Sequence, residues 1–307
     1  MGTIINTPSP TGADLAVRRS HVDDPLAVVC IQHGMAEHSG RYGRFMNALA
    51  ERGYASVAHD HRGHGETTAP DAALGHFAAE DGWAKVRADA LAVADFIGAP
   101  YEGVPLVAFG HSMGGLVSFD LALTYADRFA AAAVWNIAIP HAAELAALRG
   151  VLTFERFRRG SDVPSPLASR LTFEAYNKRF APNRTAFDWL SRDRAELDAY
   201  VADPLCGFDV TIGTWMEIAG AMAGALDDER LRVLPKDMPF HLLGGDKDPV
   251  TNEGKGVRRI GDRLRAAGLS DVTDIVLPNT RHEALNEVNR DTTTAAFIDW
   301  LDERFAR

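Results

Sequence analysis

The sequence contains few cysteines and no apolar run long enough to span a membrane. Its 307 residues include 2 cysteines, Cys30 and Cys206, and no CxxC pair, so we expect neither a disulfide framework nor a zinc site built on cysteine. The longest weakly polar stretch, residues 211–226, contains Glu217 and is shorter than the ~20 residues that cross a bilayer. The N-terminal segment lacks the basic start and apolar stretch of a signal peptide. These absences predict a soluble, cytoplasmic protein.

An excess of basic residues is also missing. Lys and Arg number 32 against 42 Asp and Glu, which gives a formal net charge of −10. Neutralising nucleic-acid phosphates requires a basic surface, so nucleic acid is not an expected partner. Hydrophobic residues make up 46% and charged residues 24%, as in ordinary globular proteins. The length allows one large domain, or one domain with an inserted subdomain.

Short apolar runs alternate with helix-like stretches along most of the chain, which favours a mostly parallel sheet covered by helices on both faces. The pattern predicts strands at residues 26–32, 55–59, 104–109, 131–136, 240–244 and 272–277. The alternation stops after residue 136, and residues 138–215 show helical patterns without a clear strand. We therefore predict a core built from residues 1–137 and 216–307, with residues 138–215 inserted as a helical cap.

Residues 110–114 read GHSMG and match the G-x-S-x-G pattern of a serine nucleophile. The pattern alone is weak, but an apolar strand precedes it and a helix-like segment follows it. This strand–turn–helix context is the one that the nucleophile elbow of α/β-hydrolases requires. The flanking glycines fit the elbow because strand and helix cross too closely there for a side chain. We predict Ser112 as the nucleophile; the alternative is a glycine-rich turn that happens to contain a serine.

A serine nucleophile needs a base to accept its proton and an acid to orient that base. In α/β-hydrolases, the acid follows the serine in the sequence and the histidine follows the acid. His141 lies at the start of the insertion and His241 lies within a predicted strand, whereas His282 follows the last strand in a loop. We therefore predict His282 as the base. The acid follows the strand at 240–244, and we favour Asp248, deeper in the loop, over Asp246, which also fits a turn residue.

An acyl-transfer site also needs two N–H donors for the oxyanion. The residue after the nucleophile, Met113, supplies one, and the loop HGMAEHSGRY at residues 33–42 offers Met35 as the best candidate for the other. Histidines are frequent in the N-terminal part of the chain, at His33, His38, His59, His61, His64 and His76. Their spacing matches no common zinc pattern, so we expect no metal and no cofactor.

Together these motifs resemble the monoglyceride lipase and lysophospholipase-like group of α/β-hydrolases, a group also described as serine aminopeptidase-like (S33). The shared motifs are HGMAEHSGRY, DHRGHG at 60–65, GHSMGG at 110–115, GDKDPV at 245–250 and RHEALNE at 281–287. The resemblance implies an eight-stranded core, a helical lid after the sixth strand and hydrolysis of a single acyl ester. It also implies a Ser112–Asp248–His282 triad, with Met35 and Met113 at the oxyanion hole.

One departure from the group follows DHRGHG, where a serine often stands two residues on and this chain has Thr67. The departure concerns a local turn. By the same resemblance, His61, Arg62 and His64 hold loops near the site and have no catalytic role.

The predicted cap says least about the substrate. Residues 144–159 form an amphipathic pattern that fits either a helix packed on the core or one that touches a membrane surface. Residues 215–218 fit an acyl pocket or ordinary core packing. The leading interpretation is a monoacylglycerol, lysophospholipid or short-ester hydrolase. A peptidase, thioesterase, acyltransferase or perhydrolase with the same triad stays open, as does a catalytically silent binding module. No oligomeric state is indicated.

Overall fold

One sheet of eight strands forms the centre of the protein. The computed structural model describes residues 4–137, 139–225 and 227–306. The strand order is β1-β2-β4-β3-β5-β6-β7-β8; strands β3 to β8 are parallel, and β2 is antiparallel to both β1 and β4. The strands are β1 (Ile5–Pro8), β2 (Asp14–Ser20), β3 (Val28–Gln32), β4 (Ala55–His59), β5 (Leu106–His111), β6 (Ala131–Trp135), β7 (Phe240–Gly245) and β8 (Val272–Leu277).

Helices cover both faces of this sheet because its inner strands are apolar on both sides. In β3, Val28 and Cys30 pack on one face, whereas Val29 and Ile31 pack on the other. The helices are α1 (Gly43–Glu51), α2 (Gly82–Gly98), α3 (Met113–Thr124), α4 (Ala142–Arg159), α5 (Pro166–Ser169), α6 (Ala175–Lys178), α7 (Arg194–Ala202), α8 (Ile212–Ala225), α9 (Asp228–Arg232), α10 (Lys255–Ala266) and α11 (Arg290–Phe305). Helices α1 and α11 cover one face, and α2, α3 and α10 cover the other.

The eight-stranded α/β-hydrolase fold confirms the prediction, but β1 and β2 were not among the six strands that the apolar pattern indicates. The reason is visible in β2, which carries Arg18 and Arg19 where an inner strand would be apolar. Arg18 is nonetheless buried, because its guanidinium pairs with the buried carboxylate of Asp60 at 3.3 Å. Because this strand buries an ion pair, an analysis based on hydrophobicity does not identify it as a strand of the sheet.

Between β6 and β7 the described residues form helices α4 to α9. The predicted first residue of the cap, Ala138, lies outside the described residues, as do the chain ends at residues 1 and 307. The predicted boundary after Trp215 falls inside α8, which packs against α3 and α2 as well as α4. Glu217 of α8 accepts hydrogen bonds from the backbone N–H groups of Gly82 and Trp83, at the start of α2. Helix α8 therefore joins the insertion to the core, and the division at residues 138–215 stays a prediction.

Thr67 fills the position at which the sequence departs from the related group. Its hydroxyl donates to the Asp60 carbonyl at 2.5 Å and accepts the Ala16 N–H at 3.0 Å. The threonine thus ties this turn to β2 through the same kind of hydroxyl that a serine would offer.

In the described residues, no helix combines the length and the apolarity required to cross a membrane.

Candidate active site

Ser112 lies on a tight turn between β5 and α3. Its backbone is left-handed, with φ 55° and ψ −120°, and its N–H donates to the Trp135 carbonyl at 2.8 Å. A Cβ on Gly110 would approach the Gly114 carbonyl oxygen to 2.0 Å, and one on Gly114 would approach the Gln32 oxygen to 2.0 Å. Only glycine fits at either position, so the strained serine is held by close packing of strand, helix and neighbouring strand.

The three side chains predicted from the sequence as a triad form one hydrogen-bonded chain, with His282 between Ser112 and Asp248. His282 Nε2 is 2.9 Å from Ser112 Oγ, and His282 Nδ1 is 3.0 Å from Asp248 Oδ1. Asp248 and His282 are buried. The alternative acid, Asp246, is partly exposed and lies 3.8 Å from the Lys247 ammonium. The geometry therefore favours Asp248 as the partner of the imidazole.

Asp248 is fully buried, yet its surroundings favour the ionised form. Burial alone would raise the pKa of this carboxyl, but the His282 imidazole and hydrogen bonds from Asn136 and Val250 outweigh it and hold the pKa below its usual value. Asn136 Nδ2 donates to Oδ2 at 2.9 Å, and the Val250 N–H donates to Oδ1 at 2.9 Å. An ionised Asp248 can accept the Nδ1 proton of His282, which leaves Nε2 free to face the serine.

Asn136 was missed by the sequence analysis, which placed it at the end of a predicted strand. The residue follows β6 with φ 55°, and its N–H donates to the Leu243 carbonyl at 2.7 Å. Asparagine tolerates this left-handed backbone better than most residues. The sequence did hold one indication of its place. The asparagine follows directly on a core strand, and active-site groups of parallel sheets lie at the carboxyl ends of the strands.

The loop after β3 presents its backbone to Ser112. The His61 N–H donates to His33 Nε2 at 2.9 Å, so the His33 proton lies on Nδ1 and is donated to the Gly34 carbonyl at 2.7 Å. Because a trans peptide points its C=O and N–H in opposite directions, the Met35 N–H faces away from His33. Within the described residues, neither the Met35 nor the Met113 N–H has a hydrogen-bond acceptor, and both residues line the cavity at Ser112.

The loop that carries His282 is tied to the inserted segment. The His282 ring lies against the Trp189 ring with centroids 4.9 Å apart, and the Glu283 N–H donates to the Leu190 carbonyl at 2.8 Å. Arg281 donates to the Ser191 carbonyl at 3.0 Å. The loop that carries His282 therefore rests directly on residues between β6 and β7.

Comparison with known proteins matches this geometry to a family. A family model described as serine aminopeptidase, S33 (Hydrolase_4), matches residues 23–289. The chain belongs to this family. Monoglyceride lipase of Mus musculus is 27% identical over 292 residues, covering 92% of this chain and 84% of that protein. Monoacylglycerol lipase of Mycolicibacterium smegmatis is 26% identical over 279 residues, covering 91% and 89%.

Solved structures show the same fold at lower identity. A thermostable carboxyl esterase from Bacillus coagulans aligns with a TM-score of 0.88 at 22% identity and covers 100% of both chains. A soluble variant of monoglyceride lipase from Saccharomyces cerevisiae, in complex with a substrate analogue, aligns with a TM-score of 0.78 at 18% identity, covering 100% and 96%. The predicted resemblance is confirmed: the S33-family chain is a monoglyceride-lipase-like α/β-hydrolase.

In this S33-family hydrolase Ser112 opens onto a cavity of about 1020 Å3. One part of its wall is apolar and comes from the core and the insertion together. It is formed by Leu116, Leu148, Phe173, Trp215, Ile218 and Met222. Trp215 and Ile218 belong to the hydrophobic core, as one interpretation of residues 215–218 predicts, and they also line the cavity. The acyl pocket at these residues stays a prediction. Such a wall suits an acyl chain better than a polar substrate.

The histidine-rich segments form a buried cluster around the loop after β3. The rings of His33 and His61 are 4.3 Å apart, and those of His59 and His61 are 4.8 Å apart. Burial lowers the pKa of His59 and of His64 to about 4, so both rings are neutral at physiological pH. Neutral histidines can pack here without the cost of buried charge.

Three potential metal ligands meet at one place in the described chain: His38, Asp203 and Cys206. The Gly40 N–H donates to His38 Nδ1 at 3.2 Å, so the ring proton lies on Nε2, which is 2.9 Å from Asp203 Oδ2. In this arrangement Nε2 donates to a carboxylate and has no lone pair to offer a metal ion. The group fits a hydrogen-bonded contact between the β3 loop and the insertion.

Proposed function

We propose that this serine ester hydrolase cleaves a single acyl ester, with monoacylglycerols as the main substrate class and lysophospholipids and short- or medium-chain esters as related substrates. The observation that carries the proposal is the hydrogen-bonded array of Ser112, His282 and Asp248, which opens onto a cavity with an apolar wall. The names of the Mus musculus and Mycolicibacterium smegmatis relatives support the same substrate class.

The proposed reaction proceeds through an acyl-enzyme. Ser112 Oγ attacks the ester carbonyl while His282 Nε2 takes its proton, and the Met35 and Met113 N–H groups bind the oxyanion. When the tetrahedral intermediate collapses, the C–O bond to the alcohol breaks and His282 gives the proton to the leaving oxygen. Water then attacks the acyl-serine with His282 as base, which releases the fatty acid and restores Ser112. The Asp248 carboxylate stabilises the imidazolium at both steps.

The substrate fits the cavity in one direction. The acyl chain lies along the apolar wall of α3, α4 and α8, because burying its methylene groups is favourable by about 0.8 kcal/mol each. Other lining residues, including Ser169, Glu174 and Asp209, offer polar groups to a glycerol or similar alcohol. A long acyl chain with a small polar head group matches this division better than a peptide does.

We also propose that residues 138–215 act as a cap that touches a lipid surface transiently. Helix α4 buries Leu145 and Leu152 but leaves Phe154 57% and Phe157 88% exposed. Arginines lie beside them at positions 156 and 158, a composition that suits an anionic lipid interface. Co-sedimentation with vesicles tests this role: Phe154→Ser/Phe157→Ser should abolish vesicle binding and leave hydrolysis of a water-soluble ester unchanged. Equal vesicle binding by the variant would contradict it.

A cytoplasmic site of action is part of the proposal. Cys30 and Cys206 are both free thiols, which suits a reducing compartment. Fractionation of cells that express the full chain would test this placement.

The activity itself is tested by two measurements on one preparation. A fluorophosphonate probe should label the wild-type protein at Ser112 and leave Ser112→Ala unlabelled. A series of p-nitrophenyl esters, monoacylglycerols and lysophospholipids should then give the highest kcat/KM for a monoacylglycerol, with peptide and thioester substrates as comparison. A silent binding module would not label, and a peptidase would label but prefer the amide substrates.

A further inference from the structure

A buried chain of charges links the loop after β3 to the loop that carries His282. The Arg41 guanidinium donates to Glu37 Oε2 at 2.5 Å, and its two nitrogens donate to Glu283 Oε1 and Oε2 at 2.7 and 2.6 Å. The side chains of the two carboxylates are 4% and 6% exposed, and that of Arg41 is 12% exposed. We call these three residues the charge bridge.

At one end, the charge bridge fixes residues 33–36, which we call the oxyanion loop because they carry the Met35 N–H. Glu37 Oε1 accepts the Gly34 N–H at 2.6 Å and the Tyr42 hydroxyl at 2.8 Å. The Gly34 N–H is therefore not free to bind the oxyanion, and the Gly34 carbonyl accepts a hydrogen bond from His33. With both backbone groups of Gly34 fixed, the following N–H, that of Met35, has little freedom to rotate.

At the other end, the charge bridge reaches the residue next to the base. Glu283 follows His282 directly, and its Oε2 accepts a hydrogen bond from Asn286 Nδ2 at 3.0 Å. The fork of Arg41 also lies over the Tyr200 ring at 4.8 Å, and the Tyr200 hydroxyl donates to the Ala36 carbonyl at 2.9 Å. Ala36 has a φ of 54°, which an alanine rarely adopts. Arg41 therefore connects the loop that carries the Met35 N–H to the loop that carries His282.

Stability alone accounts poorly for this arrangement. Two carboxylates and one guanidinium are removed from water, and buried ion pairs often stabilise a fold less than apolar residues of similar volume would. Burial alone would raise the pKa of the Glu37 and Glu283 carboxyls, but the Arg41 charge outweighs it and holds each pKa below its usual value. Both carboxylates are thus ionised and bound to one rigid fork, which constrains direction as well as distance.

We propose that Glu37, Arg41 and Glu283 are positioning residues that fix the Met35 N–H relative to His282 in the transition state. This inference rests on the proposed ester hydrolysis. The oxyanion forms only after attack, so an ill-placed N–H weakens transition-state binding and leaves substrate binding intact.

The test compares two variants that alter the charge bridge in different ways. Arg41→Lys keeps the charge but replaces a planar fork with a single ammonium, which cannot make both contacts. The triple variant Glu37→Gln/Arg41→Met/Glu283→Gln removes all three charges together, so no unpaired charge is left buried. In both variants we expect kcat for p-nitrophenyl butyrate to fall by about 10- to 100-fold, because deleting an oxyanion donor outright costs about 100- to 1000-fold. KM should change by less than about twofold.

A second readout separates positioning from general damage. An alkyl trifluoromethyl ketone forms an oxyanion on Ser112, and its Ki should rise by the same factor by which kcat falls. The affinity for a monoalkyl glyceryl ether, which forms no oxyanion, should not change. The matched control is Arg52→Met, since Arg52 also pairs with two carboxylates, those of Asp299 and Asp302, and its partners lie outside the charge bridge. Its kcat should equal that of the wild type.

The outcomes decide between positioning and structure. Folded bridge variants with wild-type kcat, or with an unchanged Ki for the ketone, would overturn the inference. Loss of folding in both variants would also overturn it, because the charge bridge would then be a stability element. A wild-type protein that neither hydrolyses esters nor labels at Ser112 would instead refute the proposed function itself.

Discussion

Mild acid should destabilise this protein strongly, because several of its histidines are buried in the neutral form. Burial lowers the pKa of His59, His64 and His111 to about 4 and that of His241 to about 3. In the unfolded chain the same imidazoles titrate near about 6.5. Below that pH the unfolded state binds protons that the folded state does not, so the free energy of unfolding falls as the pH falls. The histidine contribution is complete above the unfolded pKa and is lost progressively toward the folded values.

The size of the effect follows from these pKa values. Between about pH 7.5 and about pH 5.5, each such histidine reduces the free energy of unfolding by about 1.4 kcal/mol, since one pKa unit corresponds to about 1.4 kcal/mol. The four together give roughly 5 kcal/mol. Domains are commonly stable by about 5–15 kcal/mol, so this loss is a large part of the total. The buried carboxylate of Asp248 offers no compensation in this range, because its pKa is held below the usual value.

Urea unfolding at both pH values, extrapolated to water, measures the loss directly. His59→Leu should reduce the difference between the two pH values by about 1.4 kcal/mol, because one of the four protons is then no longer taken up. His59 suits the test because, in the described structure, neither of its ring nitrogens has a hydrogen-bond partner. Ser56→Ala, at a buried residue of the same strand that does not titrate, is the matched control and should leave the difference unchanged. A free energy of unfolding that is equal at both pH values would refute the reasoning.

Three further predictions concern the proposed site. Ser112→Ala should lower kcat for esters by about a million-fold with the fold intact, and wild-type turnover in a purified variant would exclude Ser112 as the nucleophile. Asp248→Asn should lower kcat by about 10,000-fold with little change in KM, because the His282 tautomer is then reversed, whereas Asp246→Asn should have a small effect; the opposite ranking would transfer the role to Asp246. Met222→Trp should fill part of the apolar wall and shift the kcat/KM optimum to shorter acyl chains, and an equal loss at every chain length would argue against Met222 as a chain-length determinant.

The sequence was most informative where apolar runs and glycines impose geometry. The inner strands were predictable because both of their faces are buried, and Ser112 because its turn excludes side chains at Gly110 and Gly114. The choice between Asp246 and Asp248 could only be a preference, since both lie in one short loop and their distance from His282 depends on a tertiary contact.

The sequence did not allow us to predict which polar residues are buried because they pair with one another. Glu37, Arg41 and Glu283 have the composition of an exposed surface, and only folding shows that they satisfy one another. Strand β2 was missed for the same reason at Arg18. A single sequence does not show which charges meet, because the partners stand far apart in the chain.

The contact between residues 189–191 and the His282 loop limits how the segment between β6 and β7 can be exchanged between proteins. The Trp189 and Leu190 carbonyls accept the backbone N–H groups of His282 and Glu283, and the Ser191 carbonyl accepts a hydrogen bond from the Arg281 side chain. The Ser191 hydroxyl donates to the Asn286 carbonyl at 2.7 Å. Grafting a foreign segment that replaces this stretch would remove these contacts with the His282 loop, whatever substrate the new segment admits. Replacement restricted to α4 and α5 keeps those contacts, whereas α6 must stay because Asn177 Oδ1 accepts the Trp189 N–H at 3.1 Å. Changes of specificity, by evolution or by design, are therefore easier in the first half of the insertion than in the second.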